Sequence, residues 1–146
     1  MRVSVIGGSN VSDEVYEQAV AVGRLLADHG HTVVCGGLGG VMRGVCEGAK
    51  EADGRTVGIL PGEDTGAANE FVEVPIATGL GHARNARVVM NGDAVVAIDG
   101  GPGTLSELGF ASIYDRPVAG LGTHDVPGVR QVDTPAAAVA HVEDHA

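Results

Sequence analysis

The chain repeats one unit: a short apolar run, a glycine-rich turn, then a segment whose apolar residues return at helical spacing. The first copy is Val3–Ile6, then Gly7-Gly8-Ser9-Asn10, then Val15, Ala19, Val22, Leu25 and Leu26, closed by Gly30. The second is Thr32–Cys35, then Gly36-Gly37-Leu38-Gly39-Gly40, with a helix predicted over Val41–Ala52. The third is Ala94–Ile98, then Asp99-Gly100-Gly101-Pro102-Gly103-Thr104, with a helix predicted over Leu105–Tyr114. Thr56–Leu60, Phe71–Ile76 and Pro117–Leu121 read as further strands, and Val129–Val132 as a short edge strand. Leu80–Asn91 and a segment opened by Thr134-Pro135 read as helices; Ser12 and Thr134 are their neighbours' natural N-caps. Glu63–Asn69 reads as a polar loop. Strands alternating with helices predict an α/β fold: a doubly wound, mostly parallel sheet flanked by helices on both faces, in a single domain over residues 1–146.

In such a Rossmann-like fold, ligands bind at the carboxyl ends of the strands, where strand order reverses. The chain's 24 glycines cluster there rather than scattering, which marks that rim as a ligand site. Glycine lets the backbone approach a ligand closely, and the first free N–H groups of a helix attract an anion. Gly7, Gly8, Gly36, Gly37, Gly39 and Gly40 are therefore candidate ligand-binding residues. Ser9 either donates to a phosphate or only shapes the first turn. Glu107 is expected in the first turn of its helix. There it serves the ligand, by chemistry or by a hydrogen bond to a sugar hydroxyl, or it complements the helix dipole. Arg43, at the start of the second helix, is in reach of a phosphate.

Composition narrows the function classes. The formal charge is −10 and Lys50 is the only lysine, which argues against nucleic acid, because backbone phosphates need clustered cations. The acidic, lysine-poor balance resembles that of proteins from salt-loving archaea, whose self-repulsion is screened by salt. Met1–Ile6 runs directly into a strand and no apolar segment is long enough to span a bilayer, so the cytoplasm is the expected compartment. Cys35 and Cys46 form no zinc spacing and read as reduced packing residues. His141 and His145, with Glu143 and Asp144 between them, read as a solvated helix end, and no metal or resident cofactor is expected.

Several nucleotide chemistries fail on the residues. GxGxxG breaks at Met42, counting from Gly37, and Lys50 is not followed by Ser or Thr as a P-loop requires. Lys50 lies far from any glycine loop, so a pyridoxal Schiff base is a poor fit, and no GxSxG elbow opens a serine triad.

Cys35-Gly36-Gly37-Leu38-Gly39-Gly40-Val41-Met42-Arg43-Gly44 resembles the first glycine motif of the LOG family, GGGxxGLMG. Gly100-Gly101-Pro102-Gly103-Thr104-Leu105-Ser106-Glu107 resembles its second, PGGxGTxxE. His82-Ala83-Arg84-Asn85 lies where that family has an arginine within HxRK, and the spacing to the second motif fits. The resemblance runs from Val3 to about Leu121. The short length and layout are similar to a branch of the wider SLOG superfamily described as LOG-like or molybdenum cofactor carrier-like. The superfamily's older label, lysine decarboxylase, conflicts with the lysine argument above.

The resemblance implies a phosphoribohydrolase, which cleaves the N-glycosidic bond of a nucleoside 5′-monophosphate. Arg84 and Glu107 match the catalytic pair. Gly100, Gly101, Gly103 and Thr104 match the phosphate loop, and Met42 belongs to the first binding motif. The chemistry agrees: cleavage builds positive charge on the ribose, which a carboxylate stabilises while orienting or deprotonating water. An arginine binds phosphate or polarises the base, but is a poor general acid. The resemblance also implies a small-molecule nucleotide or phosphorylated ligand as partner and a homodimer or higher homo-oligomer. Leu80, Val88 and Val89 form an apolar face that suits an interface or a core equally.

The chain departs from the pattern. Asp99 replaces proline, Ala83 and Asn85 replace Glu and Lys, and Gly81 stands where Met is usual. The rim is less cationic as a result. That keeps open a non-catalytic binding or carrier protein for molybdenum cofactor or a related nucleotide-like ligand. A sensor domain for a nucleotide signal also stays open.

Overall fold

A computed structural model describes residues 1–146. Seven strands form one sheet: β1 (Arg2–Gly7), β2 (Thr32–Cys35), β3 (Thr56–Leu60), β4 (Val74–Ala77), β5 (Ala94–Ile98), β6 (Val118–Leu121) and β7 (Val129–Gln131). Their order is β4-β3-β2-β1-β5-β6-β7, and every neighbouring pair is parallel. Five helices cover it: α1 (Asp13–Asp28), α2 (Val41–Glu51), α3 (Asn85–Met90), α4 (Pro102–Ile113) and α5 (Pro135–His145). The expected α/β, doubly wound architecture is the one found. No helix is long and apolar enough to cross a membrane.

The two faces of the sheet read directly from residue alternation. Val3, Val5, Val33, Val96 and Ile98 pack with α1, α2 and α5 in the larger core. Ile6, Val34, Val95 and Ala97 point the other way, into a smaller core with Val88, Val89 of α3 and Leu108, Ala111 of α4. Val88 and Val89 are therefore core residues, whereas Leu80 is exposed. Every residue of β5 is buried, as a central parallel strand covered on both faces should be. Not all the glycine serves the ligand rim. Gly48 brings α2 against α1 so closely that a Cβ there would lie 1.9 Å from the Val20 carbonyl oxygen.

The helix starts follow capping chemistry. The Ser12 side chain accepts from the Val15 N–H, with Asp13 and Glu14 in the first turn of α1. Thr134 accepts from the Ala137 N–H, with Pro135 at the first position of α5.

Beyond shifts of one residue at element ends, four stretches differ from the sequence expectation. α4 begins at Pro102 rather than Leu105, because proline's fixed φ suits the first helical position. Glu107 thus lies in the second turn, beyond the reach of a simple dipole role. β4 begins at Val74 rather than Phe71. The Thr56 hydroxyl donates to the Phe71 carbonyl and accepts from the Glu73 N–H, holding residues 71–73 outside the strand ladder. The helix expected over Leu80–Asn91 splits into a 3-10 turn, Gly81–Arg84, and α3, after Gly79 and Gly81 take φ of +65° and +59°. Within Glu63–Asn69, Thr65–Ala67 forms a 3-10 turn capped by Asp64.

Strand order runs outward from β1 through β4 on one side, then resumes at β5 on the other. The reversal lies between β1 and β5, which pair from Val3↔Ala94 to Gly7↔Ile98. Their carboxyl ends release the Gly7-Gly8-Ser9 and Asp99–Thr104 loops side by side.

Candidate functional site

A cleft of about 260 Å³ opens where these two loops diverge. Gly7, Gly8 and Ser9 form one wall, Gly101, Pro102, Gly103 and Thr104 another, and Gly36, Leu38 and Met42 a third. Val5, Ile6, His82, Arg84, Asn85 and Glu107 complete the lining.

The Gly101–Thr104 wall is the N-terminus of α4. Its first internal bond runs from the Leu105 N–H to the Gly101 carbonyl. The Gly103 and Thr104 N–H groups precede it and are left for a ligand, at the positive end of the helix dipole. The loop is braced from behind: Thr123 Oγ1 donates to the Asp99 carbonyl at 2.8 Å, and His124 Nε2 to the Gly101 carbonyl at 3.0 Å.

Glu107 is only 8 % exposed, and no protein group hydrogen-bonds its carboxylate. Burial pushes its pKa from the ordinary 4.5 up to about 7, while the charge of Arg84 pulls it part of the way back. A buried carboxylate without hydrogen bonds is costly, and one titrating near neutrality is poised for acid–base work.

Arg84, also 8 % exposed, reaches the cleft from the 3-10 turn. Its Nε donates to the Ile59 carbonyl at 2.9 Å, one terminal nitrogen to the Gly36 carbonyl at 3.4 Å, and the other to Asn85 Oδ1. Burial lowers its pKa, and Glu107 is the largest influence opposing that fall. Gly36 must lack a side chain here, since a Cβ would lie 2.7 Å from Arg84 Nη2. Asn85 carries the link onward: its Nδ2 donates to Ser106 Oγ at 3.2 Å, which donates to the Gly103 carbonyl at 2.6 Å. The arginine is thereby coupled to the opening turn of α4.

Of the candidates, Gly7, Gly8, Ser9, Gly36, Met42, Gly101, Gly103, Thr104, Arg84 and Glu107 meet around this one cleft. Gly37, Gly39, Gly40 and Gly100 do not line it, and their work is to shape the loops. Gly40 backs onto the first loop, where a Cβ would lie 2.2 Å from the Gly8 carbonyl oxygen and Val41 N–H donates to that oxygen. Gly37 accepts from the Asn69 N–H, Gly39 lies behind Ser9, and Gly100 packs on the Thr104 side chain. Asp99 stays out of the cleft too. Its φ of +53° is one that proline cannot adopt, so the loop enters differently from a proline-bearing motif. Arg43 turns away to Glu70 and Tyr16, and Arg87 is exposed on α3. Val5, Ile6, Leu38, Pro102, His82 and Asn85 line the cleft as well without having been singled out. Leu38 and Pro102 lie inside the two glycine motifs and His82 and Asn85 inside the arginine segment, whereas Val5 and Ile6 read only as strand residues.

Residues 1–146 match the SLOG cluster4 family in full. The chain belongs to this family. It is 41% identical over 140 residues to an uncharacterized protein of Archaeoglobus fulgidus, covering 95% of this chain and 92% of that one. It is 33% identical over 138 residues to a cytokinin riboside 5′-monophosphate phosphoribohydrolase of Arabidopsis thaliana. That match covers 90% of this chain, which spans 59% of the plant enzyme's length. Among solved structures, the molybdenum cofactor carrier protein of Chlamydomonas reinhardtii superposes with a TM-score of 0.90 at 34% identity, covering 98% of this chain and 96% of that one. The recognised LOG-like, carrier-like resemblance therefore stands at the level of sequence family and of fold.

Proposed function

We propose that this chain is a nucleoside 5′-monophosphate phosphoribohydrolase. The observation that carries this reading is the pairing of a buried, unpartnered Glu107 carboxylate with open N–H groups at the start of α4, across one cleft. In the proposed complex the Gly103 and Thr104 N–H groups, with the Gly7-Gly8-Ser9 turn, hold the 5′-phosphate. Glu107 faces the anomeric carbon. As the bond to the base breaks, positive charge on the ribose is stabilised by the carboxylate. Glu107 takes a proton from the attacking water, whose oxygen bonds to the anomeric carbon, and that proton passes on to the base as its bond to the ribose breaks. Arg84 is a positioning residue in this scheme. Each of its three nitrogens donates one N–H to a protein acceptor, and its charge draws the Glu107 titration back down toward neutrality. The phosphoribohydrolase relatives support the chemistry.

A second reading has its own support. Three of the five Arg84 N–H groups already donate within the protein, which limits how far the guanidinium can turn to polarise a departing base. The carrier structure from Chlamydomonas also matches nearly end to end. In this reading the same cleft binds molybdenum cofactor, or a related nucleotide-like ligand, without turnover.

Incubation with AMP and other monophosphates, with free base read by chromatography, separates the two. The hydrolase reading expects base release by the wild type and its loss in Glu107→Ala. Ligand binding with the same null turnover in both proteins replaces it with the carrier reading.

A further inference from the structure

The sequence places Glu143 between His141 and His145, but in the fold it turns away from both. His145 Nδ1 pairs with the His141 carbonyl at 2.8 Å, and the two rings stack with centroids 4.2 Å apart. Glu143 Oε1 instead lies 2.7 Å from His29 Nδ1 and 2.7 Å from His31 Nε2. These three side chains come from separate elements: His29 caps α1, His31 stands just before β2, and Glu143 is in the last turn of α5.

Two imidazoles converge on one carboxylate oxygen, bringing three metal-ligating atoms to one point. They are a natural donor set for a borderline divalent ion, which takes both ring lone pairs and a carboxylate oxygen together. All three donor atoms lie within 4.8 Å of one another. Tetrahedral zinc bonds of about 2.0–2.2 Å separate neighbouring donors by about 3.3 Å, so the two nitrogen–oxygen separations open by roughly half an ångström while the two ring nitrogens close on each other. The rings approach from different directions, tilted by 55° with centroids 6.3 Å apart. His31 is 14 % exposed and its other nitrogen lies 3.3 Å from the amino group of Met1; with an ion on Nε2 that nitrogen carries the ring proton, so the amino group accepts it unprotonated or moves aside. His29 is 45 % exposed, leaving a solvent-facing position for a fourth ligand.

We propose that His29 Nδ1, His31 Nε2 and the Glu143 carboxylate bind one zinc-class divalent ion. The site lies where β2 begins, at the opposite edge of the sheet from the ligand cleft. Its role is structural, clamping α5 to the α1–β2 turn, and it is independent of what the cleft binds.

The test uses the untagged full chain, titrated with zinc chloride by calorimetry and with cobalt(II) by visible absorption. The wild type is expected to bind one ion per chain, to show the intense bands of tetrahedral cobalt, and to unfold at higher temperature with zinc. His29→Ala, His31→Ala and Glu143→Gln should each weaken binding more than about tenfold, the lower end of what even an outer-shell partner contributes. The double variant His141→Ala/His145→Ala should bind like wild type. Absence of saturable binding by the wild type overturns the proposal. So does wild-type affinity in the His29→Ala/His31→Ala double variant, or loss of binding only when His141 and His145 are removed.

Discussion

Glu107 and Glu143 are both carboxylates on helices of one small sheet protein, and the fold treats them in opposite ways. Glu143, at the amino-terminal edge, accepts from two imidazoles, and those bonds hold it below the ordinary carboxylate range. Glu107, at the carboxyl edge, is buried without a single hydrogen bond, and burial pushes it up to about 7. The chain evidently supplies partners where a carboxylate holds elements together. A carboxylate buried without a protein partner costs stability, and in the proposed function that cost is met because Glu107 serves a ligand.

The contrast can be broken or sharpened by substitution. The largest effect concerns turnover: Glu107→Gln should lower the rate of base release from AMP by about 10²-fold to 10³-fold, the range for removing one electrostatic contributor to a transition state. Next is stability against pH. Because the folded-state pKa of Glu107 is raised, its favourable contribution is complete below about 4.5 and is lost as pH rises through about 7. Glu107→Gln should therefore match wild type at pH 4 and exceed it at pH 8 by about 3 kcal/mol in urea unfolding. Arg84→Met should destabilise by about 2 kcal/mol, since it orphans buried acceptors, and should move the Glu107 titration further up. The smallest effect belongs to the other carboxylate. Glu143 is shifted down, so its contribution is present above the ordinary carboxylate range and fades as pH falls below it. In metal-free protein Glu143→Gln should cost only about 0.5 kcal/mol at neutral pH, as exposed pairs do.

Much of this was legible in the sequence because parallel sheets write themselves in local patterns. The β5 run Ala94–Ile98 and the glycine turns announced the strand ends, and a reversal at β1 brings three of those ends together. The local signals misjudged the start of α4, since glycines around Pro102 obscured a helix that proline itself opens. That error put Glu107 in the first turn, where a dipole role was credible. Glycine identity alone also did not separate ligand walls from loop supports. Gly36 and Gly40 look alike in sequence, yet one faces Arg84 in the cleft and the other backs onto Gly8. The His29–His31–Glu143 group was invisible for a simpler reason. Glu143 lies more than a hundred residues from His29 and His31, and in sequence its near neighbours are His141 and His145 instead.

The central claim is that the cleft holds a buried carboxylate that no protein group hydrogen-bonds. It is tested most directly by following the side-chain carboxyl of Glu107 through a carbon-13 NMR titration of the unliganded protein, assigned with Glu107→Gln. The account predicts a midpoint at about 7. A midpoint in the ordinary range near 4.5 would contradict it.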